Sequence, residues 1–255
     1  MNIKVLGCHG GELPRHRTTC FLIDGKLAID AGAITAALEL EDIVRIDDIF
    51  LTHSHFDHVK DVPLMTDLLV GKREKPVIVH GPAETMEAMD KDVFNNRVWP
   101  DFRTIPTREK PVIAFDTIPV YEPVACQGLR IRAVPVHHPV YSVGYIIEGR
   151  NGAIAFSGDT GPTEELWKAI NATPNVKAVF VELSFPSSMQ WLADASGHLT
   201  PRTMMGELSK LDRRGAKIYL YHLKPAVIDE VKAEIRALRK DFLHVCELDE
   251  VYGIQ

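Results

Sequence analysis

Apolar residues along the chain come in short runs, and the spacing inside the runs switches repeatedly between two periods. NIKVLG, TCFLID and KLAID open the chain as short, branched-rich runs, the pattern of strands, with tight turns expected between them. AITAALELE carries its apolar residues at helical spacing, IDDIFLT reads as a buried strand, and DVPLMTDLLV after it as a helix. KPVIVHG is a strand ending at Gly81, and PAETMEAMDKDVF starts a helix with proline in its first turn. GLRIRAVPV, SVGYIIEG and GAIAFS are strands, TEELWKAIN a helix, VKAVFVELS a strand, and TPRTMMGELSKLD a helix. AKIYLYH is a strand and AVIDEVKAEIRALRK an amphipathic final helix. Only the stretch at about 94–111, with NNRVWPDFRTIPTREKP, breaks this rhythm; its prolines and aromatics show no period and mark an irregular insertion. Alternating strands and helices predict an α/β fold in which helices cover the outer faces of sheets. With no repeat, low-complexity tract or linker, residues 1–255 are expected to form one domain.

Composition narrows the function classes. A chain of 255 residues, 45% hydrophobic, is long enough for a substantial core. The 29 basic residues are outnumbered by 35 acidic ones, for a formal charge of -6, which argues against a nucleic-acid partner. Cys8, Cys20, Cys126 and Cys246 are far apart in sequence and form no CxxC pair, so reduced thiols are expected rather than a zinc knuckle. MNIKVLGCHGG is too short for a secretory core, and no apolar run approaches the roughly 20 residues of a membrane span. A cytoplasmic protein with no membrane contact is the expectation.

The unusual residues follow strands. LTHSHFDHVKD places His53, His55, Asp57 and His58 just after the strand IFLT. RAVPV leads into His137 and His138, AIAFS into Asp159, VFVE ends on Glu182, and IYLY leads into His222. In layered α/β proteins ligands sit beyond the carboxyl ends of strands, so five strand ends are positioned to converge. His53 and His55 are two apart and would point to opposite sides of a helix, whereas a loop curling from a strand end gathers them. Imidazole and carboxylate suit zinc, manganese or iron, and a carboxylate such as Asp159 between two cations offsets their repulsion. His9, His16, His80 and His244 read as ordinary surface or core histidines, although Gly10 and Gly11 could bring His9 near the site. A single DTG lacks the second aspartate of an aspartic protease, and no P-loop or dinucleotide fingerprint occurs.

These residues resemble the metallo-β-lactamase superfamily of binuclear hydrolases. The resemblance implies a four-layer αββα sandwich of two mixed sheets. It implies one divalent ion on His53, His55 and a third histidine, and a second on Asp57, His58 and His222, with Asp159 bridging. The third histidine is His138 by its six-residue spacing to the Gly144-Tyr145 pair, with His137 as second choice. GHLTP, with His198, and the strand-borne Glu182 resemble a proton-donating pair. The insertion, the first 24 residues, SGDTGPTEELW and VELSFPSS resemble the class II cyclic-nucleotide phosphodiesterases, a branch related to ribonuclease Z, whose tRNA-gripping arm finds no counterpart here.

The reaction so implied is hydrolysis of a small phosphodiester, cAMP or cGMP, to the 5'-nucleotide by metal-activated hydroxide, with Asp57, His198 and Glu182 in the catalytic machinery. The alternative is a ribonuclease Z-like nuclease or another metallo-hydrolase of the superfamily. Zinc is the first expectation for the two ions, with manganese or iron next. Asn95, Asn96, Trp99 and Phe102 in the insertion are candidates to bind a purine, or else the two aromatics cover a core. The insertion is also a candidate for homodimer contacts.

Overall fold

A computed structural model of the chain describes residues 1–212 and 215–254. The strands β1 (Asn2–Gly7), β2 (Cys20–Ile23), β3 (Leu27–Ile29), β4 (Asp48–Phe50), β5 (Val77–Gly81) and β6 (Ile113–Thr117) lie side by side in that order. A second sheet is formed by β7 (Pro123–Cys126), β8 (Leu129–Val136), β9 (Ser142–Gly149), β10 (Gly152–Phe156), β11 (Val176–Glu182), β12 (Lys217–Tyr221) and β13 (Leu243–Val245), again neighbours in order. The last strand, β14 (Val251–Gly253), returns to pair antiparallel with β1. Both sheets are mixed: β3 through β6 run parallel, as do β10 through β13, while β1–β2–β3 and β7–β8–β9–β10 are antiparallel.

Residue alternation explains the layering. In β10, β11 and β12, Ile154, Phe156, Ala178, Phe180, Tyr219 and Tyr221 face the other sheet, meeting Phe21, Ile23 and Phe50. Their chain neighbours Ala153, Ala155, Val179, Val181, Ile218 and Leu220 face outward into a helix-covered layer. Strand side chains alternate faces, so apolar residues at every position give a sheet buried on both sides. Helices α1 (Ile34–Ala37), α2 (Leu40–Ile43), α3 (Phe56–Val59), α4 (Asp61–Leu69) and α5 (Ala83–Ala88) belong to the first half of the chain, and Val62, Met65 and Leu69 of α4 cover the outer face of the first sheet. Helices α6 (Glu165–Ala172), α7 (Gln190–Ser196), α8 (Pro201–Leu208) and α9 (Ile228–Leu238) belong to the second half. Leu166, Trp167, Ile170, Met204, Val231 and Ile235 seal its sheet. The result is the expected αββα sandwich.

Two local expectations need correction. The connection from β1 to β2 is not a tight turn but residues 8–19, which reach the C-terminal end of β12 through His9 and Leu223. AITAALELE splits into α1 and α2 because Leu38 and Glu39 are extended; only Ile34 and Ile43 of these helices are buried. The insertion is irregular but anchored, with Phe94 and Phe102 buried in the layer between the first sheet and its helices. No helix among the described residues is long and apolar enough to cross a membrane.

Candidate metal centre

Strands β4, β8, β10, β11 and β12 end on the same side, and the five polar clusters meet there. The His-rich loop is fixed from below by Asp30, which follows β3. Its carboxylate accepts from Thr52 N at 2.8 Å, from Thr52 Oγ1 at 3.0 Å, and from His58 Nδ1 at 2.7 Å. Because the Thr52 hydroxyl donates to Asp30, its oxygen accepts from His53 Nδ1 at 2.9 Å. The same logic applies across the site. Ser184 Oγ donates to Glu182 Oε2 at 3.0 Å and so accepts from His222 Nδ1 at 3.0 Å; His138 Nδ1 donates to the Gly197 carbonyl at 3.0 Å. Four imidazoles therefore carry a proton on Nδ1 and turn Nε2 to the centre.

Those nitrogens converge with carboxylates. Asp159 Oδ2 lies 3.2 Å from both His58 Nε2 and His222 Nε2 and 3.8 Å from His53 Nε2. Asp57 Oδ2 lies 3.3 Å from His222 Nε2 and 3.9 Å from His58 Nε2. His138 Nε2 faces His55 Nδ1 at 3.1 Å, and His58 Nε2 faces His222 Nε2 at 3.2 Å. Ligands on one tetrahedral zinc, each about 2.0–2.1 Å from it, are separated by about 3.3 Å. His53, His55 and His138 form one group whose ligand atoms lie within 4.8 Å of one another; Asp57, His58 and His222 form a second, and Asp159 joins His53 and His58 in a third. His53 Nε2 and Asp159 Oδ1 are buried without any hydrogen-bond partner, a costly condition unless a cation satisfies them. The residues present thus fit a pair of divalent ions.

Electrostatics follow from burial and crowding. Burial, then the His58 charge, holds His53 well below the ordinary imidazole range; burial likewise lowers His55, His138 and His222. Burial works against the charged form of His58 too, but Asp159 and Asp30 outweigh it and hold its pKa well above the usual value. Burial would raise Asp57 and Asp159, yet the surrounding histidines keep both carboxyls low, hence ionised. His53, His55, His138 and His222, neutral beside ionised carboxylates, have the protonation states that metal ligation requires, and His58 would give up its second proton on binding a cation.

Local sequence explains the presentation. Gly158, at φ +62, lets the chain turn sharply between β10 and Asp159. Asp30 and His222 adopt left-handed backbone at φ +57 and +67, which non-glycine residues avoid; both sit where the site needs their side chains. Thr200 caps α8, exchanging side-chain and backbone bonds with Thr203, and Pro201 takes the first helical position; that stop fixes His198 just upstream. His198 Nδ1 is 3.1 Å from Glu182 Oε1, and its ring lies 5.1 Å from that of His138 and 5.3 Å from that of His222. Burial lowers the basicity of His198, but the Glu182 charge and hydrogen bond outweigh it and raise its pKa.

Comparison with known proteins agrees with this geometry. Residues 21–223 match the model of the beta-lactamase superfamily domain. The chain belongs to that superfamily. It is 23% identical over 235 residues to a probable 3',5'-cyclic-nucleotide phosphodiesterase of Yersinia pestis, covering 79% of this chain and 65% of that protein. It is 32% identical over 155 residues to ribonuclease Z of Haloarcula marismortui, covering 58% of this chain and 47% of that protein. The chain thus spans less than two thirds of these relatives' length. The crystal structure of unliganded yeast PDE1 superposes with a TM-score of 0.83 at 20% identity, covering 98% of both chains, and shares the fold.

The structure gathers His53, His55, Asp57, His58, His138, Asp159 and His222 around one point, with His198 and Glu182 beside it. His137 is held by its main chain to Thr160 and Gly161, while the His138 ring faces His55. The insertion residues are elsewhere engaged. Phe102 is 3% exposed in the helix-side core, Trp99 packs on that core and donates its indole N–H to Thr66, and the Asn95 and Asn96 side chains accept from main-chain N–H groups of their own loop. The burial of Phe102 and the packing of Trp99 on the same core support the core-covering alternative rather than purine stacking. Sequence reading missed Asp30, Thr52 and Ser184, and assigned the approach of the glycine loop to His9 rather than to Gly10 itself. Asp30 carried a signal, an aspartate ending the run KLAID; Ser184 carried none beyond its place after Glu182. Gly10, not His9, is the glycine-loop residue that abuts the site. A side chain at Gly10 would begin 2.7 Å from His222 Cε1, while the His9 ring packs on His16 at 4.7 Å.

Proposed function

We propose that the chain is a binuclear metal-dependent phosphodiesterase acting on a 3',5'-cyclic nucleotide. The observation carrying this reading is the sharing of Asp159 between two His/Asp ligand groups, with the His198–Glu182 pair alongside. Two divalent cations held by His53, His55 and His138 and by Asp57, His58 and His222 would supply an activated water and neutralise phosphoryl oxygens. The chain's own residues do the rest. Asp159 offsets charge between the two ligand groups. Asp30, Thr52, Ser184 and the Gly197 carbonyl fix ring orientation, so the ligand nitrogens need not reorganise. His198, kept protonated by Glu182, gives its proton to the departing 3'-oxygen, a poor leaving group otherwise. Zinc is the proposed metal on grounds of ligand type, with manganese and iron compatible.

The names of the phosphodiesterase relatives support the cyclic nucleotide; the ribonuclease Z relative supports a nuclease as the second reading. A turnover panel of cAMP, cGMP, bis(p-nitrophenyl) phosphate, RNA 3' trailers, lactoylglutathione and a β-lactam, with elemental analysis of the protein, separates them. Cyclic-nucleotide hydrolysis abolished by Asp57→Ala together with metal loss is the expected result. Turnover of RNA trailers alone would replace the substrate assignment, and turnover of none of the phosphodiesters would end it. A cytoplasmic homodimer contacting through the insertion, where Val98 is 64% exposed, belongs to the same reading; sedimentation and cell fractionation test it.

A further inference from the structure

A second group of unlike metal-binding side chains lies at the seam between the two sheets. Asp48 opens β4, His80 lies in β5, and Cys126 ends β7, the edge strand of the other sheet. One ligand atom from each lies within 4.8 Å of the others. We propose that Asp48, His80 and Cys126 form a site for a thiophilic divalent cation, zinc first, which clips the two sheets together along this edge.

Thiolate, imidazole and carboxylate are the donors zinc takes. The surrounding bonds orient them as such sites require. His80 Nε2 points to Asp48 Oδ1 at 2.9 Å, while Nδ1 donates to Asp116 Oδ2 at 2.8 Å, so a carboxylate stands behind the imidazole. The ring is stacked on Phe50 with centroids 4.2 Å apart, which fixes its plane. Gln127 Nε2 donates to Asp48 Oδ2 at 2.7 Å, leaving the other oxygen turned to the cluster. Asp48 and Gln127 also line a solvent cleft of about 370 Å³, an entry path and a source of water for the fourth position. Burial, and then Asp48, push the Cys126 thiol up to about 12 in the metal-free protein. Binding therefore releases to solvent the thiol proton and the proton held between His80 Nε2 and Asp48 Oδ1 as the bonds to the metal form, while the Nδ1 proton of His80 stays in its hydrogen bond to Asp116.

Cobalt(II) provides a test that the catalytic centre cannot confuse, because no cysteine is among the centre's candidate ligands. A thiolate-to-cobalt charge-transfer band in the near ultraviolet is expected in the cobalt-loaded protein and also in Asp57→Ala. Cys126→Ser should lose the band and hold one cobalt fewer per chain, and Asp116→Asn should weaken binding about tenfold. A wild-type protein without the band at saturating cobalt, or a band that survives in Cys126→Ser, overturns the proposal. Should Cys126→Ser fail to fold, alkylation of the wild type decides. Cys8, Cys20 and Cys246 are buried, so Cys126 is the accessible thiol, and at alkaline pH zinc should slow its alkylation at least about tenfold; equal rates with and without zinc refute the site.

Discussion

Glu182 ties His198 to the metal centre. One carboxylate oxygen faces His198 Nδ1 at 3.1 Å, and the other accepts from Ser184 Oγ, whose oxygen in turn faces His222 Nδ1 at 3.0 Å. His198→Ala should therefore slow turnover by roughly 10²–10⁴-fold with metal content unchanged. Elemental analysis alongside the rate measurement decides the role. Metal lost from the His198 variant would make His198 a ligand instead, in the group it forms with His138 and Asp159.

Gly10 leaves no room for a side chain against His222. Its Cβ would lie 2.7 Å from the ring's Cε1 and 2.7 Å from the His222 carbonyl oxygen. Gly10→Ala should displace that ring and weaken metal binding by roughly 10–100-fold, as loss of ligand support does. Metal titration of the variant by calorimetry measures it. Undiminished affinity would show that the loop yields without moving His222.

His9 makes stability pH-dependent. Burial and then the neighbouring His16 lower its pKa from 6.5 to about 4. Between pH 6.5 and about 4 the unfolded chain binds a proton that the folded one does not. The contribution is thus complete above 6.5 and lost as pH falls toward 4. His9→Asn should flatten the acid side of the stability profile by about 1–2 kcal/mol, after discounting for solvent screening. Urea unfolding at several pH values compares the two slopes; parallel slopes would exclude His9 as the source.

Phe180 is the hub of the inter-sheet core, stacked on Phe156 at 4.5 Å and on Tyr219 at 4.9 Å, with Phe21 at 5.3 Å. Phe180→Ala should cost about 3–5 kcal/mol, the transfer term plus the cavity left behind. Denaturant midpoints at constant slope report it, and a loss under about 1 kcal/mol would mean that the neighbouring rings collapse into the space.

The strands that the hydrophobic pattern exposed are the inner strands of the two sheets. Those it left unmarked, β6, β7, β13 and β14, are the four outer edges of the two sheets. Their residues are largely half-buried or exposed, as in PVAC of β7 and VYG of β14, so no apolar run announces them. The ligand residues were legible because each cluster follows an inner strand with a readable apolar run. The insertion was not, since Trp99 and Phe102 look alike whether they face a purine or a core.

By itself the sequence determined the alternating strand and helix order, the identity of the clustered imidazoles and carboxylates, and the family they resemble. Those depend on spacing along the chain, which the side-chain periods of strands and helices make readable. Only the tertiary structure decided which partners orient them. Asp30 reaches His58 across 28 positions, Ser184 reaches His222 across 38, and Asp48 meets Cys126 from the opposite sheet. Such pairings come from the order of strands within a sheet and from packing one sheet on the other, and no local period encodes which distant side chain either brings within bonding distance.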